Sequence, residues 1–424
     1  MPQAHTTSYY AASRNDLTSY PALSGTHKTD VCVVGGGFTG VATALELAER
    51  GYRVTVLEAN RIGWGASGRN GGQLIHGVPG AKRIAAARGS DGNKLVAEMA
   101  WEGHRIVRER VAKYDIDCDL KSGYLDVAIT KGHMRALQEE HDALQASDFP
   151  HPLELLGKAQ TQTLIGTEAY IGGLLNMGSG HLHPLNLCAG EARAAVSLGA
   201  QVFEGSPVTA IKPGMNPHVV TDQGTVEADT VVLAGNAYHE LAPHLRRRMF
   251  PVRSFIIGTE PLPKATVERI NPRDLAVCDP NFVLEYFRLS ADKRMLFGGR
   301  IDYFGEDPSV IEARMRKKLA RIYPEFGQAR IDFAWGGKIG VTLKRVPLFG
   351  RLGQGVIYCQ GYSGHGVNNT HMAARVLADA VSGTLERFDM FASIDAIAVP
   401  GADRFPNPFI SLGLIYYRLR DKLA

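Results

Sequence analysis

The sequence contains few cysteines, no long apolar run and little net charge. Its five cysteines in 424 residues are scattered, odd in number and lack the spacing of a metal site. This usage is typical of reduced thiols, so we expect a cytoplasmic protein without a bound metal. No run approaches the roughly 18 apolar residues of a membrane span, and residues 1–29 lack the apolar stretch of a signal peptide. We therefore expect no stable membrane insertion.

The charge balance argues against binding to nucleic acid. The 47 Lys and Arg residues are spread along the chain and exceed the 43 Asp and Glu residues by only four. The composition, 45% hydrophobic and 21% charged, is that of a globular chain with a sizeable core. At this length we expect two or three domains, and we find no internal repeat.

A glycine-rich turn directly follows a short apolar run near the start of the chain. The run Val31–Val34 is rich in β-branched residues, which predicts a buried parallel strand. The turn has the spacing Gly35-x-Gly37-x-x-Gly40. In a dinucleotide-binding unit, the first glycine permits the tight turn and the second lets the backbone approach a pyrophosphate. The third lets the helix pack closely on the sheet.

The residues after this turn complete the unit. Apolar residues recur at helical spacing up to Gly51, where the helix is expected to end. A second strand, Tyr52–Leu57, ends at Glu58. An acid at this place accepts hydrogen bonds from ribose hydroxyls and repels a 2′-phosphate, which favours FAD or NAD over NADP. The sequence therefore predicts a dinucleotide-binding βαβ unit.

A second glycine-rich stretch, Gly63–Gln73, follows within a few residues of Glu58. It is too rich in glycine for a helix or a packed strand. The backbone N–H groups of such a loop can lie along a pyrophosphate and a flat ring, and Arg69 can pair with phosphate. A flexible linker is the alternative, but a linker would not require Trp, Arg and Asn at these positions.

The rest of the chain contains two kinds of sequence pattern that predict helices and strands. Two amphipathic helices, Arg83–Tyr114 and Lys131–Ala146, flank a strand at Gly123–Ile129. Three further segments predict an antiparallel sheet, with a hairpin turn at 290–293 between the last two; these are Val252–Glu260, Phe282–Leu289 and Arg294–Gly299. Apolar strands that alternate with helices, the last helix being Val367–Val381, predict further α/β structure.

Two histidines, His181 and His183, stand close together before a predicted helix. They could suggest a metal site, but no acid or cysteine lies nearby at ligand spacing. We therefore expect ordinary hydrogen-bonded histidines.

Several segments together resemble one family. The turn GGGFTG, the loop GASGRNGGQ, GHLHPLNL at 180–187, VVLAGNAY at 231–238 and GYSGHGVN at 361–368 resemble FAD-dependent amine and amino-acid oxidases of the D-amino-acid oxidase and sarcosine oxidase superfamily. Among these, the chain looks most similar to the bacterial γ-glutamylputrescine oxidase group. The resemblance runs from Ser8 to Asp421.

This resemblance implies an α/β fold. A Rossmann-like FAD-binding domain of the glutathione-reductase type would carry an inserted α+β substrate domain built on an antiparallel sheet. The FAD domain would comprise residues 1–80, 155–245 and 335–395, and the substrate domain residues 81–154 and 246–334. The tail, residues 396–424, is expected to pack on the body, with a membrane-surface helix as the alternative.

The resemblance also implies which residues bind FAD. These are Gly35, Gly37, Phe38, Thr39, Gly40, Glu58, Ala59, Arg61, Gly65, Ala66, Ser67, Arg69, Asn70, Gly71, Gly72, Gln73, Val208, Gly235, Asn236, Gly364, His365, Gly366 and Val367. The backbone of Val208 would read the adenine edge, and the helix that follows Gly366 would point its N-terminus at the flavin. We expect FAD to be non-covalent, because no Cys or His matches a known attachment site.

Two departures from the family bear on the substrate. Ile339 stands where glycine and D-amino-acid oxidases carry a carboxylate-binding Arg, and Asn368 stands where sarcosine oxidases carry a Lys. Both usual anchors for an α-carboxylate are therefore missing. Lys338 weakens this argument because it could still reach a carboxylate, although neighbouring strand residues face opposite sides.

These departures favour a small-molecule amine such as γ-glutamylputrescine or a related polyamine, with molecular oxygen as the electron acceptor. Oxidases of a cyclic imino acid such as L-pipecolate, and a flavin dehydrogenase with another acceptor, stay open as alternatives. We expect Tyr286 to position the amine, with Asn368 and Lys338 as further candidates for contacts with the substrate. A buried core aromatic is the alternative role for Tyr286.

Overall fold

Two β-sheets organise the chain in the computed structural model, which describes residues 3–147, 149–281, 284–302 and 308–399. The eight strands of the first sheet are β1 (Gly25–Val34), β2 (Val54–Leu57), β7 (Gln201–Phe203), β8 (Val208–Lys212), β9 (His218–Thr221), β10 (Gly224–Leu233), β16 (Leu348–Arg351) and β17 (Val356–Gln360). The nine strands of the second sheet are β3 (Gln73–Leu74), β4 (Lys121–Ala128), β5 (Leu153–Gly157), β6 (Gly172–His181), β11 (Phe250–Pro261), β12 (Ala276–Cys278), β13 (Tyr286–Leu289), β14 (Arg294–Asp302) and β15 (Ile331–Val341).

Eleven α-helices connect and cover these sheets in the described residues. They are α1 (Tyr9–Ala12), α2 (Phe38–Glu49), α3 (Ala81–Arg88), α4 (Gly92–Lys113), α5 (Lys131–Ala146), α6 (Lys158–Ile165), α7 (Pro184–Ser197), α8 (Lys264–Ile270), α9 (Pro308–Ile322), α10 (Gly366–Val381) and α11 (Glu386–Ser393).

The first sheet has a parallel centre in the order β17-β10-β1-β2-β7. The central strands are apolar on both faces, as expected for a parallel sheet covered on both sides. On one face, Val33 packs in a core with Leu45 of α2 and Leu377 of α10. On the other face, Val34 belongs to a core with Leu233. The predicted βαβ unit is present, although β1 begins earlier, at Gly25, and β2 begins at Val54 rather than Tyr52.

The second sheet runs in the order β15-β11-β14-β13-β12-β4-β6-β3, with β5 also paired to β6. Its pairs are antiparallel except for β12 and β4. Phe287 and Leu125 belong to its separate apolar core. The predicted hairpin is present, since Ser290 N donates to Arg294 O across the turn at 2.9 Å. The expected α/β fold with an antiparallel second sheet is thus confirmed.

The predicted helix Arg83–Tyr114 is wrong, because the structure has two helices, α3 and α4, in its place. Gly89 ends α3 with φ +82°, a conformation outside the helical region. The two helices then meet closely at Gly92, where a Cβ would overlap the backbone of Ala85.

The strands divide between the sheets at other points than the predicted domain boundaries. Leu153–Gly157 and Gly172–His181, which lie largely in the predicted FAD domain, are strands of the second sheet. The strand Ile331–Val341 also belongs to that sheet in full, although we placed the boundary at residue 335. These strands belong to the second sheet because β6 pairs with β4 and β15 pairs with β11. Such pairing between distant segments is not encoded in any local sequence pattern.

Three further expectations concern the ends of elements. The strand predicted at Phe282–Leu289 begins only at Tyr286 in the described residues. The tail at residues 400–424 lies outside the described residues. No helix among the described residues combines the length and the apolar character that crossing a bilayer requires.

Candidate active site

A cavity of about 1260 Å³ extends between the two sheets. Its floor includes the carboxyl ends of β1 and β2, where ligands bind in open α/β sheets. Its other wall is formed by strands of the second sheet, including Tyr286 and Ile339. The volume exceeds the roughly 300–1,000 Å³ of a typical small-ligand pocket. It therefore has room for a dinucleotide together with a second, smaller ligand.

The glycine turn leaves the N-terminus of α2 open to this cavity. Gly35 has φ +114°, which a residue with a side chain rarely adopts. A Cβ at Gly37 would lie 2.9 Å from Ser67 Oγ, and that hydroxyl accepts a hydrogen bond from Phe38 N at 2.8 Å. A Cβ at Gly40 would overlap the carbonyl oxygen of Gly35, so this glycine serves close packing and does not line the cavity.

Glu58 lies at the end of β2 with its carboxylate held by backbone groups. Its Oε2 accepts from Gly36 N at 2.7 Å, and its Oε1 accepts from Asn60 N at 2.8 Å. Burial raises the pKa of Glu58, while these N–H groups act in the opposite direction. The carboxylate is thus fixed in orientation at the cavity, at the end of the second strand, where an acid can accept hydrogen bonds from ribose hydroxyls.

The loop Gly65–Gln73 is folded back on itself by Asn70. The Asn70 amide donates to Ala66 O at 3.1 Å and to Ser67 O at 2.8 Å, and its Oδ1 accepts from Gly72 N at 2.8 Å. Gly72 has φ +70° and does not itself line the cavity. The hydrogen bonds of Asn70 turn backbone groups of the loop toward the cavity.

Arg69 adds a positive charge to the same loop. Its Nε donates to Trp64 O at 2.8 Å, and its guanidinium lies 4.3 Å from the centre of the Trp64 ring. Burial lowers the pKa of Arg69, and no Asp or Glu among the described residues pairs with it. Its charge is therefore available to an anionic ligand.

Three separate segments close the rest of the cavity. Val208 and its neighbours line one end, and Gly235 and Asn236 line the middle. Asn236 has φ +45°, and its side-chain oxygen accepts from Gly361 N at 3.1 Å. The start of α10, residues 364–367, lines the cavity and has no side-chain cap.

Besides Gly40 and Gly72, two predicted contact residues with long side chains lie outside the cavity. Arg61 does not line the cavity, because Glu204 Oε2 holds its Nη1 at 2.7 Å. Lys338 also lies outside the cavity, and its side chain is exposed toward the ring of Tyr238. Because successive strand residues face opposite sides, Ile339 faces the cavity in its place. The position of Lys338 thus gives no support to its predicted contact with the substrate, which stays a prediction.

The other two candidates for substrate contact line the cavity. Tyr286 packs against two glycines, since a Cβ at Gly71 or at Gly298 would overlap its ring. Asn368 is buried, and its amide donates to Gly77 O at 3.2 Å and Ala100 O at 3.0 Å. These bonds tie α10 to α4 through the Asn368 NH2 group, while its buried Oδ1 has no hydrogen-bond partner in the described residues, so a contact with a ligand stays a prediction.

Several polar residues of the cavity wall could not be recognised from the sequence. Tyr362 donates to or accepts from Thr39 Oγ1 at 2.8 Å, and Tyr238 accepts from Lys338 N at 2.8 Å. The others are His76, Tyr124, Asp126, Glu140 and Asp279. These residues have no motif spacing, and only the pairing of distant strands brings them to one place. Outside the cavity, His181 and His183 are hydrogen-bonded as expected.

The residues of the cavity fit FAD. The two glycine-rich segments leave a cradle that a Cβ would narrow at Gly37 and at Gly65. Glu58 suits the ribose, and the N-terminus of α2 suits the pyrophosphate. The fold and this site define an FAD-dependent oxidoreductase.

Comparison with known proteins agrees with this class. The chain belongs to the family described as FAD dependent oxidoreductase (DAO), which matches residues 30–380. It is 42% identical over 423 residues to the gamma-glutamylputrescine oxidoreductase of Escherichia coli K12, covering 99% of both chains. It is 39% identical to the probable oxidoreductase OrdL of Haemophilus influenzae, covering 99% of this chain and 98% of that protein.

The solved structures include a neighbour with the same fold. The glycine oxidase of Geobacillus kaustophilus superposes with a TM-score of 0.71 at 23% sequence identity, covering 87% of this chain and 100% of that chain. The predicted cofactor, FAD, is thus confirmed for this protein.

Proposed function

We propose that this protein oxidises the C–N bond of a primary amine, with γ-glutamylputrescine or a related polyamine-type amine as substrate. The 42% identity over nearly the whole length to a gamma-glutamylputrescine oxidoreductase carries this proposal. The cavity wall supports it, because aliphatic Ile339 faces the cavity where an α-carboxylate anchor would be expected. Lys338, which could have replaced that anchor, is turned to the outside.

The chemistry balances as a two-electron oxidation. The amine loses two electrons and two protons to become an imine, and water then converts the imine to an aldehyde and ammonia. FAD, when bound, supplies the two-electron acceptor. Molecular oxygen then takes up the two electrons and two protons as hydrogen peroxide.

The residues of this chain have the tasks of holding and orienting the amine. Tyr286 is fixed by the glycines on either side and lines the cavity, so its ring can set the position of the substrate carbon. The start of α10 has no side-chain cap, so its N–H groups would stabilise negative charge on a reduced flavin bound beside it. A cytoplasmic location is part of the proposal, and all five cysteines are buried and unpaired in agreement with it.

The test is peroxide release from the purified protein under air. The panel comprises putrescine, γ-glutamylputrescine, longer polyamines, L-pipecolate and sarcosine. We expect peroxide and ammonia in equal amounts from γ-glutamylputrescine, and at most weak activity with L-pipecolate and sarcosine. Preference for either amino acid would contradict the proposed substrate. Turnover with an artificial dye but no peroxide under air would contradict oxygen as acceptor.

A further inference from the structure

Three acidic side chains lie together in the wall of the cavity. Asp126 belongs to β4, Asp279 follows β12, and Glu140 reaches the same region from α5. In the register of the sheet Asp126 lies opposite Cys278, which lies opposite Tyr286 on its other side. We call these three acids the acidic cluster. Asp126 of this cluster lies two strand spacings, or about 10 Å, from Tyr286.

Asp126 has no partner within the part of the chain that the structure describes. No N–H or O–H group donates to its carboxylate, and no Lys or Arg pairs with it. Protein encloses it except where it lines the cavity. Burial, followed by the charge of Glu140, raises the pKa of Asp126 well above its usual value. A carboxylate in this setting is unfavourable until a cation or a donor arrives from the cavity.

The surroundings of Asp126 add further acceptors. Glu140 Oε1 lies 3.2 Å from His76 Nε2, the one basic side chain found against the acidic cluster in the described residues. The carboxylate of Asp279 accepts from Asn281 N at 3.1 Å and from Glu285 N at 3.0 Å. The acids therefore outnumber the cations that face them, and this end of the cavity is electronegative.

We propose that the acidic cluster is a subsite for a second, protonated nitrogen of the substrate, separate from the nitrogen whose C–N bond is oxidised. This inference rests on the proposed function and narrows its substrate class to amines that carry another cation about 10 Å away. An ammonium group has three N–H donors, which Asp126 and Glu140 can accept together. The reacting nitrogen must be uncharged, and an acid beside it would oppose its deprotonation. A remote position for the acids avoids this conflict.

Matched substrates test the subsite on the wild-type holoenzyme. γ-Glutamylputrescine is compared with its α-N-acetyl derivative, which keeps the oxidised amine but lacks the second positive charge. We expect kcat/KM to be about 10–100-fold higher for the charged substrate, the range for a hydrogen bond to a charged group. In Asp126→Asn this ratio should fall toward one, with the loss on the charged substrate and little change on the acetylated one.

Two further variants and a binding measurement complete the test. Glu140→Gln should lower the same ratio, whereas Glu139→Gln, an exposed neighbour on α5, should leave it unchanged. Binding is measured by calorimetry with an analogue that has two methyl groups on the carbon next to the reacting nitrogen. This analogue has no C–H to lose, so it binds without being oxidised. Its Kd should weaken about 10-fold or more in Asp126→Asn and not in Glu139→Gln.

The outcomes separate this inference from the proposed function. The subsite is overturned if the wild type has equal kcat/KM values for the charged and the acetylated substrate. It is also overturned if the ratio of these values is the same in the wild type and in both cluster variants. Either result leaves amine oxidation standing. A wild type that oxidises neither substrate overturns the proposed function itself. If Asp126→Asn fails to fold, the wild-type ratio and Glu140→Gln decide the matter.

Discussion

Tyr286 is held in the cavity wall by close packing, and Ser254 lies within hydrogen-bonding reach of its hydroxyl. Gly71 and Gly298 lie so close to its ring that any side chain at either place would displace it. Burial raises the pKa of its hydroxyl, which therefore stays protonated and can donate to a substrate atom. The glycine loop thus has no side chain at Gly71, where the Tyr286 ring of β13 packs against it.

The hydroxyl of Tyr286 is the group to test first. Tyr286→Phe keeps the ring between the glycines, so we expect an unchanged fold and an unchanged flavin spectrum. Loss of the hydroxyl should lower kcat about 10-fold or more by misaligning the amine. Steady-state kinetics and absorbance spectra measure both effects. Unaltered kinetics would contradict this prediction and would mean that Tyr286 serves only as a core aromatic.

Asp279 gives a prediction about pH. Burial raises its pKa to about 6, although hydrogen bonds from Asn281 and Glu285 partly oppose this. In the unfolded chain the carboxyl titrates near about 3.9. The folded state therefore favours the protonated Asp279 carboxyl. This stabilisation is fully present below pH ~4 and is lost as pH rises from about 4 to 6.

The measurement compares the wild type with Asp279→Asn, which cannot titrate. Thermal melts of both proteins are recorded between pH 4 and pH 7. The melting temperature of the wild type relative to the variant should fall as pH rises through this window. Both proteins contain the same other carboxyl groups, so the contributions of those groups to stability cancel in the comparison. This matters because the pKa of many of them is shifted in the opposite direction. A difference that does not depend on pH would contradict the raised pKa.

At the scale of elements, a buried ionic network joins four helices. Arg110 of α4 binds Glu46 of α2 at 2.9 Å and Glu191 of α7 at 3.1 Å. His371 of α10 lies 3.2 Å from Glu191. Although burial acts to raise it, the pKa of Glu191 is held low by His371 and Arg110. The network lies beneath the helix that presents the glycine turn.

Removing the centre of this network should destabilise the fold strongly. Arg110→Met removes the buried guanidinium that Glu46 and Glu191 share, so that Glu191 keeps only His371 and Glu46 only its pairs at the rim of the network. Breaking a buried pair in this way typically costs about 3–5 kcal/mol. Lys113→Met is the matched control, since Lys113 lies on the same helix and forms an exposed pair with Glu49. That change should cost less than about 1 kcal/mol. Chemical denaturation measures both variants, and equal losses would contradict the structural role of Arg110.

The elements differ in how far the sequence could predict them. The turn at Gly35–Gly40 and the acid at Glu58 were predictable, because local spacing alone encodes them. The orientation of Lys338 was not, since Gly336 and Gly337 before it give no alternation of polar and apolar residues.

The acidic cluster was not predictable for a different reason. Asp126 and Asp279 are more than 150 positions apart and meet only because β4 pairs with β12 in parallel. The pairing of Arg61 with Glu204 was not predictable either, because Glu204 comes from a distant loop after β7. A motif records local geometry, whereas these contacts depend on the pairing of distant segments.

At the scale of the whole molecule, the two sheets share one cavity. Glu58 and Val208, which we predict to lie at the adenine half of FAD, line this cavity together with Tyr286 of the second sheet. A ligand that fills the whole length contacts both sheets, and a shorter ligand contacts only the first. Occupation of the cavity should therefore stabilise the molecule according to the length of the ligand.

Thermal melts of the FAD-depleted protein test this dependence. At about 100 times its Kd, FAD should add about 2.7 kcal/mol of stability, equivalent to a rise of roughly 3 °C in Tm for a chain of 424 residues. ADP and NAD share only the adenine, ribose and pyrophosphate groups, so at equal concentrations they should raise Tm less. Glu58→Ala removes the acceptor of the ribose hydroxyls and should weaken all three ligands, by about 10-fold or more in Kd. An NAD shift equal to that of FAD would contradict a cavity shaped for flavin across both sheets.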